Sequence, residues 1–103
     1  ASEPFPLAAT DFIQILETSD VPSGVINILT GRHTELAPHM AAHNDVDAVW
    51  SQSSSNVSAV IEAKSVGNLK RTWVNNGQTT QITTRDYLNA ATETKTIWVP
   101  YGE

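Results

Sequence analysis

The chain has 103 residues, of which 40% are hydrophobic and 17% charged, so it is a single modest globular domain rather than a disordered segment. Its 11 acidic and 6 basic residues give a net charge of −5, which argues against nucleic acid or an anionic membrane as a partner. It has no cysteine, which excludes a disulfide framework, a thiolate nucleophile and a cysteine-ligated metal. That composition fits a reducing compartment, and we expect a cytoplasmic protein.

The spacing of apolar residues predicts helices and strands that alternate along the chain. Ala9, Phe12, Ile13 and Leu16 recur at helical spacing and predict a helix over residues 7–16 with one face in the core. A β-branched run between turn residues then predicts a strand over residues 25–29. The remaining predicted elements are a helix at 35–43 with Pro38 in its first turn, a strand at 48–52, a helix at 56–65, a strand at 69–75, a short helix at 85–91 and a strand at 95–100.

This order of elements implies right-handed crossovers and a parallel sheet. We therefore predict an α/β fold, a partial Rossmann-like three-layer arrangement with three parallel strands. A polar stretch at residues 75–80 is the candidate boundary between a partial domain at 1–76 and a linker, short helix and terminal strand at 77–103. In that terminal strand Lys95, Ile97 and Val99 alternate with Thr96 and Trp98, which predicts a half-exposed strand at a sheet edge. Residues 92–103 are called the tail below.

The turn between the predicted strand at 48–52 and the next helix consists of Ser53, Ser54 and Ser55, where nucleotide-binding α/β folds usually have glycine. Serine hydroxyls and free N–H groups at a helix N-terminus form a generic anion site. The acidic composition and the lack of a nearby basic residue before Lys64 speak against such a site. A capped turn without a ligand is the alternative, and both interpretations stay open.

Other chemistry-bearing residues do not form a recognisable catalytic or metal site. His39 and His43 have the i,i+4 spacing of a metal pair, but no third ligand shares their helix face, so we predict no metal site. Asp45 and Asp47 are better explained by capping and turning the chain than by acid–base catalysis. The serines lack a Gly-x-Ser-x-Gly elbow, so a serine nucleophile is not expected either.

Several segments resemble a known enzyme superfamily. The segments Glu-Pro-Phe-Pro-Leu at 3–7, Asp-Val-Pro-Ser-Gly-Val-Ile-Asn-Ile-Leu-Thr-Gly at 20–31, His-Asn-Asp-Val-Asp at 43–47 and Asn-Leu-Lys-Arg at 68–71 resemble the cofactor domain of the aldehyde dehydrogenases. The segment Ala-Thr-Glu-Thr-Lys-Thr-Ile-Trp-Val at 91–99 resembles the oligomerisation strand that ends those enzymes. The resemblance covers nearly the whole chain.

The resemblance also implies that the functional residues are degenerate. The family motif Phe-Thr-Gly-Ser-x-x-Val-Gly falls on residues 51–58, with Ser53 and Ser58 in place of its glycines. The general-base glutamate falls on Asn75, which cannot accept a proton. The nucleophilic cysteine, the catalytic domain and the first strand of the nucleotide fold have no counterpart in this sequence. Glu3, Ser53 and Ser54 are what remains of the cofactor contacts, so we expect no catalytic residue and no cofactor in this chain, with NAD bound elsewhere in the parent enzyme.

This combination resembles the degenerate second module of the two-module, family-sixteen branch. It implies a non-catalytic module with a structural or assembly role in an NAD-dependent aldehyde-oxidising enzyme. Its partners would be the rest of its own polypeptide or identical subunits, reached through interface residues Ile97, Trp98, Val99 and Tyr101 of the terminal strand. The alternatives are a cofactor-binding part of an active aldehyde dehydrogenase whose catalytic residues lie outside this chain, an unrelated adaptor, and a tail that pairs with its own sheet.

Overall fold

The computed structural model describes residues 1–78 and 81–101. Within these residues there are four α-helices, one 3-10 turn and two β-strands. In chain order they are α1 (Leu7–Glu17), α2 (His33–Ala42), β1 (Ala48–Ser51), α3 (Ser55–Lys64), the 3-10 turn (Ser65–Asn68), β2 (Arg71–Val74) and α4 (Thr84–Ala91).

The two strands form a small parallel sheet, which confirms the predicted α/β class and the parallel pairing of these two segments. Trp50 of β1 lies opposite Trp73 of β2, and Ser51 lies opposite Val74. The ladder continues past both strand ends, where Arg71 N donates to Asp47 O and Asn75 N donates to Ser51 O, each at 3.1 Å. The α3 segment that connects the strands is the crossover that parallel pairing requires.

All four predicted helices are present, with shifted ends. Helix α2 begins at His33, before the predicted residue 35, so Pro38 lies inside the helix and not in its first turn as predicted. Proline has no backbone N–H, so one hydrogen bond of the helix cannot form at Pro38. Helix α4 begins with a capping box in which Thr83 and Asp86 bond each other's backbone N–H groups.

Two predicted strands are wrong. Residues 25–29 are not in a strand, because none of the described residues pairs with their backbone as a ladder. Residues 95–100 are not in a strand either, and the tail residues 93–101 are all exposed. A β-branched sequence is only a strand when a partner satisfies its N–H and C=O groups, and neither segment has one among the described residues. The predicted three-strand sheet is therefore a two-strand sheet in the described residues.

The core is small and lies on one face of the sheet. Ala41 of α2, Val49 of β1, and Val57 and Ile61 of α3 are its buried apolar residues, with Ala37, Val46 and Val74 packed around them. Beside it, Lys70 Nζ donates to His43 O at 2.6 Å and ties the end of α2 to the start of β2. The sheet, α2 and α3 thus form the packed part of the molecule.

Helix α1 does not belong to this core, contrary to prediction. It has no buried residue, and Phe12 and Ile13 of its apolar stripe remain exposed. The radius of gyration is 16.8 Å, against about 13 Å for a compact domain of ~100 residues. A helix stripe is buried only where a neighbouring surface covers it, and in the described part of the chain the sheet has no strand beneath α1. The predicted boundary between residues 76 and 77 stays a prediction, and Thr79 and Thr80 of its polar stretch lie outside the described residues.

Candidate functional site

The candidate site lies at the carboxyl ends of the two parallel strands. Ser53 and Ser54 follow β1, and the turn made by Asn75, Asn76 and Gly77 follows β2. A Cβ on Gly77 would lie 3.5 Å from Ser53 O, so the two turns touch. Parallel α/β sheets bind ligands at this edge, and the structure brings together two of the positions that the sequence pointed to.

The serine turn has the backbone form of a helix start but makes no side-chain cap. Ser54 is the N-cap of α3, with φ −58° and ψ 157°, and its hydroxyl bonds no backbone N–H of the helix. Ser58 N donates to Ser54 O at 3.0 Å, as the first bond of the helix. Ser53 is half-buried and Ser54 is exposed. A serine therefore occupies the N-cap position, as predicted, but its side chain does not make the capping hydrogen bond.

The side chain of Asn75 forms hydrogen bonds within its own turn. Its Oδ1 accepts from Gly77 N at 3.2 Å, and its Nδ2 donates to Gln78 O at 3.1 Å. Both polar atoms of the amide thereby stabilise a turn in which Asn76 and Gly77 have φ of +53° and +72°. At the position where the resemblance puts a general base, this side chain fixes the backbone of the turn.

Glu3 is likewise engaged within the chain. Its carboxylate accepts a hydrogen bond from the backbone N–H of His33, the first residue of α2, and lies 4.0 Å from His33 Nδ1. A carboxylate at a helix N-terminus is favourable because free N–H groups and the helix dipole attract negative charge there. His33 Nε2 is 2.8 Å from Ala1 O, which fixes the chain start against the same helix end. Glu3 therefore stabilises the start of α2 in the described structure. The resemblance implies a different role for it, as the acceptor of hydrogen bonds from ribose hydroxyls.

A cavity of about 530 Å³ opens beside the serine turn, between β1, α2, α3 and the start of the chain. Ser53 lines it, together with Ser51 and Gln52, whereas Glu3 and Ser54 do not. Its floor is apolar, formed by side chains of α2 and α3 that include Leu36, Met40, Val57 and Ile61. A cavity of this size at a sheet's carboxyl edge is suited to a small ligand or a peptide segment.

The remaining sequence candidates are not brought together. Among the described residues no group of three histidine or acidic side chains could hold a metal ion. His43 Nδ1 accepts from Asp45 N at 3.2 Å, which is a local turn contact. No helix in the described part of the chain is long and apolar enough to cross a membrane.

An aromatic cluster on the other face of the sheet was missed by sequence reasoning. Trp50 and Trp73 meet edge to face with ring centroids 5.6 Å apart, and Tyr87 of α4 lies 5.9 Å and 5.5 Å from them. Gln52 Nε2 donates to the Tyr87 hydroxyl at 2.8 Å. The available signal was a tryptophan in each of the two predicted strands, since aligned tryptophans pair across a sheet.

The four interface candidates of the tail are all solvent-exposed. Ile97, Trp98, Val99 and Tyr101 expose 80%, 89%, 65% and 103% of their surface. Such exposure is unusual for large apolar side chains, because burying them is favourable. Gly102 and Glu103, which complete the terminal motif, lie outside the described residues.

Comparison with known proteins gives matches to aldehyde dehydrogenases. The profile of the aldehyde dehydrogenase family matches residues 1–95. The NADP/NAD-dependent aldehyde dehydrogenase PuuC of Escherichia coli is 30% identical over 77 residues, which are 74% of this chain and 16% of that protein. An aldehyde dehydrogenase-like protein of Schizosaccharomyces pombe is 30% identical over 70 residues, or 68% of this chain and 14% of that protein. This chain thus spans a small part of the length of these relatives, and no solved structure matches it significantly.

Proposed function

Since this chain belongs to the aldehyde dehydrogenase family, we propose that it is a non-catalytic module with a role in the assembly of an NAD-dependent aldehyde-oxidising enzyme. Within the family we assign it to the degenerate second module of the two-module, family-sixteen branch. The absence of cysteine from the sequence, in a family that the resemblance describes as using a cysteine nucleophile, supports a non-catalytic role.

The state of the site supports the same proposal. Asn75 replaces the proton acceptor and is bonded within its own turn, and Glu3 is bonded to the start of α2. Ser53 places a Cβ where the family's glycine lets the backbone approach a pyrophosphate. Polar groups that are already satisfied within the chain have little to gain from a cofactor.

The observation that carries the assembly role is the exposed tail. Ile97, Trp98 and Val99 are exposed on a segment with the alternation of a strand, which the structure leaves without a partner among the described residues. Burying each of these side chains against a partner would contribute about 1.5–3 kcal/mol. An exposed strand-forming segment is also a template for pairing with another chain.

The test is the size of the chain in solution, measured by light scattering over a range of concentrations. We expect association that is lost in the double variant Ile97→Ala and Val99→Ala. The matched control is Thr94→Ala with Thr96→Ala on the same segment, which should associate as the unchanged chain does. A chain that is monomeric at all concentrations, with or without its apolar tail residues, would contradict the assembly role.

A second candidate is a cofactor-binding part of an active aldehyde dehydrogenase whose catalytic residues lie outside this chain. The cavity of about 530 Å³ beside Ser51, Gln52 and Ser53 favours it. Trp50 belongs to the strand that borders this cavity, and its ring lies on the other face of the sheet beside Trp73, so tryptophan fluorescence is a nearby reporter of occupancy. Saturable quenching by NAD in the micromolar range would support this second candidate, and an unchanged signal up to millimolar NAD supports the non-catalytic module.

A further inference from the structure

The turn after β2 contains a dipeptide with a chemistry of its own. Asn76 is the only asparagine in the sequence that is followed by glycine. Gln78 N donates to Asn75 O at 2.9 Å and closes the turn, in which Asn76 and Gly77 both have positive φ. Turns with two consecutive positive φ values favour Asn-Gly. Both residues are exposed, so water reaches the Asn76 amide and the peptide bond that follows it.

An exposed Asn-Gly pair can react with itself. The backbone nitrogen of the glycine gives up its proton to water or hydroxide and attacks Cγ of the asparagine side chain. The new C–N bond closes a cyclic imide, and the side-chain nitrogen takes up a proton and leaves as ammonia. Water then opens the imide at either carbonyl, which gives aspartate or, where the chain continues through the side-chain carboxyl, isoaspartate. Glycine favours the attack because it has no Cβ to crowd the nitrogen.

The side chain of Asn75 opposes this reaction. Its Oδ1 accepts the Gly77 N–H at 3.2 Å, so the proton that the attacking nitrogen must lose is engaged in a hydrogen bond. Its Nδ2 donates to Gln78 O at 3.1 Å and fixes the backbone on the other side of Gly77. The imide forms only after the bond to Oδ1 is broken, so this bond stabilises the unreacted chain and slows the reaction.

Asn44 provides a comparison within the same chain. It is exposed and lies in a turn, as Asn76 does. The N–H that follows it, of Asp45, donates to the side chain of the preceding residue, His43 Nδ1, at 3.2 Å. The two asparagines therefore share exposure, a turn and a bonded neighbouring N–H. They differ in the next residue, which is aspartate after Asn44 and glycine after Asn76.

We propose that Asn76 is a site of spontaneous deamidation and that the side chain of Asn75 sets its rate. The modification is independent of the assembly role. Its product lies at the candidate site, because Gly77 packs against the serine turn, with an added Cβ 3.5 Å from Ser53 O. Deamidation thus adds a negative charge at the carboxyl edge of the sheet, where it opposes the binding of an anionic ligand.

The experiment incubates the folded chain in mildly alkaline buffer below its unfolding temperature. Peptides are then prepared in mild acid and analysed by mass spectrometry, which detects the replacement of NH by O and separates aspartate from isoaspartate by their fragments. We expect Asn76 to convert roughly tenfold faster than Asn44, because only glycine leaves the attacking nitrogen uncrowded. The variant Asn76→Asp provides the reference peptide for the aspartate product.

Two results would overturn the site. One is equal conversion at Asn76 and Asn44. The other is an Asn76 that stays unchanged in the folded chain for the time in which the same chain, unfolded in guanidinium chloride, converts there. In that case the turn protects the dipeptide completely.

The role of Asn75 is tested by a matched pair of variants. Asn75→Ala frees the Gly77 N–H, and we expect conversion at Asn76 to become about threefold faster, the factor that corresponds to the loss of one hydrogen bond. His43→Ala frees the Asp45 N–H in the same way and should leave Asn44 slow, since aspartate still follows it. An unchanged rate at Asn76 in Asn75→Ala would overturn the role of Asn75.

Gly77→Ala separates the chemistry from a general loosening of the turn. The change strains the turn because Gly77 has φ of +72°, but it also adds a Cβ next to the attacking nitrogen. We expect slower conversion at Asn76 in spite of the weaker turn. Faster conversion would contradict attack by the Gly77 nitrogen as the step that sets the rate.

Discussion

The side-chain amide of Gln52 donates a 2.8 Å hydrogen bond to the hydroxyl of Tyr87. Gln52 follows β1 and Tyr87 lies on α4, so the bond joins the edge of the candidate site to the helix that precedes the tail. Arg71 Nη1 adds a second tie, because it donates to Thr92 O at 2.9 Å where α4 ends. The start of the tail is therefore held against the sheet, and its apolar end projects from a fixed point.

Removal of the Tyr87 hydroxyl should loosen this attachment without breaking the core. We expect Tyr87→Phe to lower the free energy of unfolding by about 0.5–1 kcal/mol, since a hydrogen bond at the surface is lost while the ring stays. Tyr87→Ala should cost more, because the ring contacts with Trp50 and Trp73 are lost as well. Urea unfolding followed by tryptophan fluorescence measures both, and Tyr101→Ala on the exposed tail is the control that should change nothing.

Ser58 should be replaceable with a gain in stability. Its side chain is fully buried in α3, and among the described residues its Oγ has no hydrogen-bond partner. Ser58→Ala removes an unsatisfied buried hydroxyl and improves helix propensity, so we expect the free energy of unfolding to rise by about 1 kcal/mol. Ser55→Ala, at an exposed position in the first turn of the same helix, is the control for the loss of a hydroxyl that is not buried. A loss of stability in Ser58→Ala would indicate a hydroxyl that is bonded after all.

A side chain at Gly77 should destabilise the turn beside Ser53. Its φ is +72°, a conformation that costs an L-residue about 1–2 kcal/mol. Gly77→Ala should therefore lower the free energy of unfolding by that amount. Gly67→Ala is the matched control, because the site around Gly67 has no atom within 4 Å of an added Cβ and no such φ. Equal effects of the two changes in thermal unfolding would contradict the described turn.

The first turn of helix α4 should become less stable in acid. Two hydrogen bonds to Asp86 Oδ2 hold the pKa of this carboxyl below its ordinary value of 3.8. The larger effect comes from the Thr83 hydroxyl, which donates at 2.7 Å, and the smaller from the Thr83 N–H, which donates at 2.9 Å. The folded pKa is the lower one, so this contribution is fully present above about pH 4–5 and is lost as the pH falls through the folded pKa. We expect the fluorescence change from Tyr87 leaving the tryptophans to begin as the pH falls below about 4–5 and to grow as it falls through the folded pKa of Asp86.

Asp86→Asn supplies the control for this pH effect. Asparagine keeps the shape of the side chain and removes its titration, so α4 should then be weaker at neutral pH and show no acid step of its own. Asp11→Asn on α1 should leave the step unchanged, since Asp11 lies on another helix. An acid step that persists in Asp86→Asn would assign it to other carboxylates.

The sequence by itself determined the helices, the parallel order and the composition of the site. Helix signals are local: the apolar spacing before Leu16 and the cap at Thr83 act within a few residues, so they can be located along the chain. The same holds for the serine turn and Asn75, which stand at the positions where the resemblance places a glycine and a base. The parallel pairing of residues near Trp50 and Trp73 followed from the crossover through a helix.

Only the tertiary structure decided which apolar segments are paired and buried. The runs at 25–29 and 95–100 have strand composition, yet a strand exists only where another backbone meets it, and that depends on distant parts of the chain or on a second chain. The stripe containing Phe12 has helical spacing, yet it is exposed because the two-stranded sheet of the described residues does not extend beneath it. Glu3 could bind a ligand by composition, but the fold places its carboxylate at the first N–H of α2. Helix starts and turns depend on residues that are consecutive in the sequence, so they can be predicted from it. Burial and strand pairing depend on contacts between distant segments, so only the tertiary structure decides them.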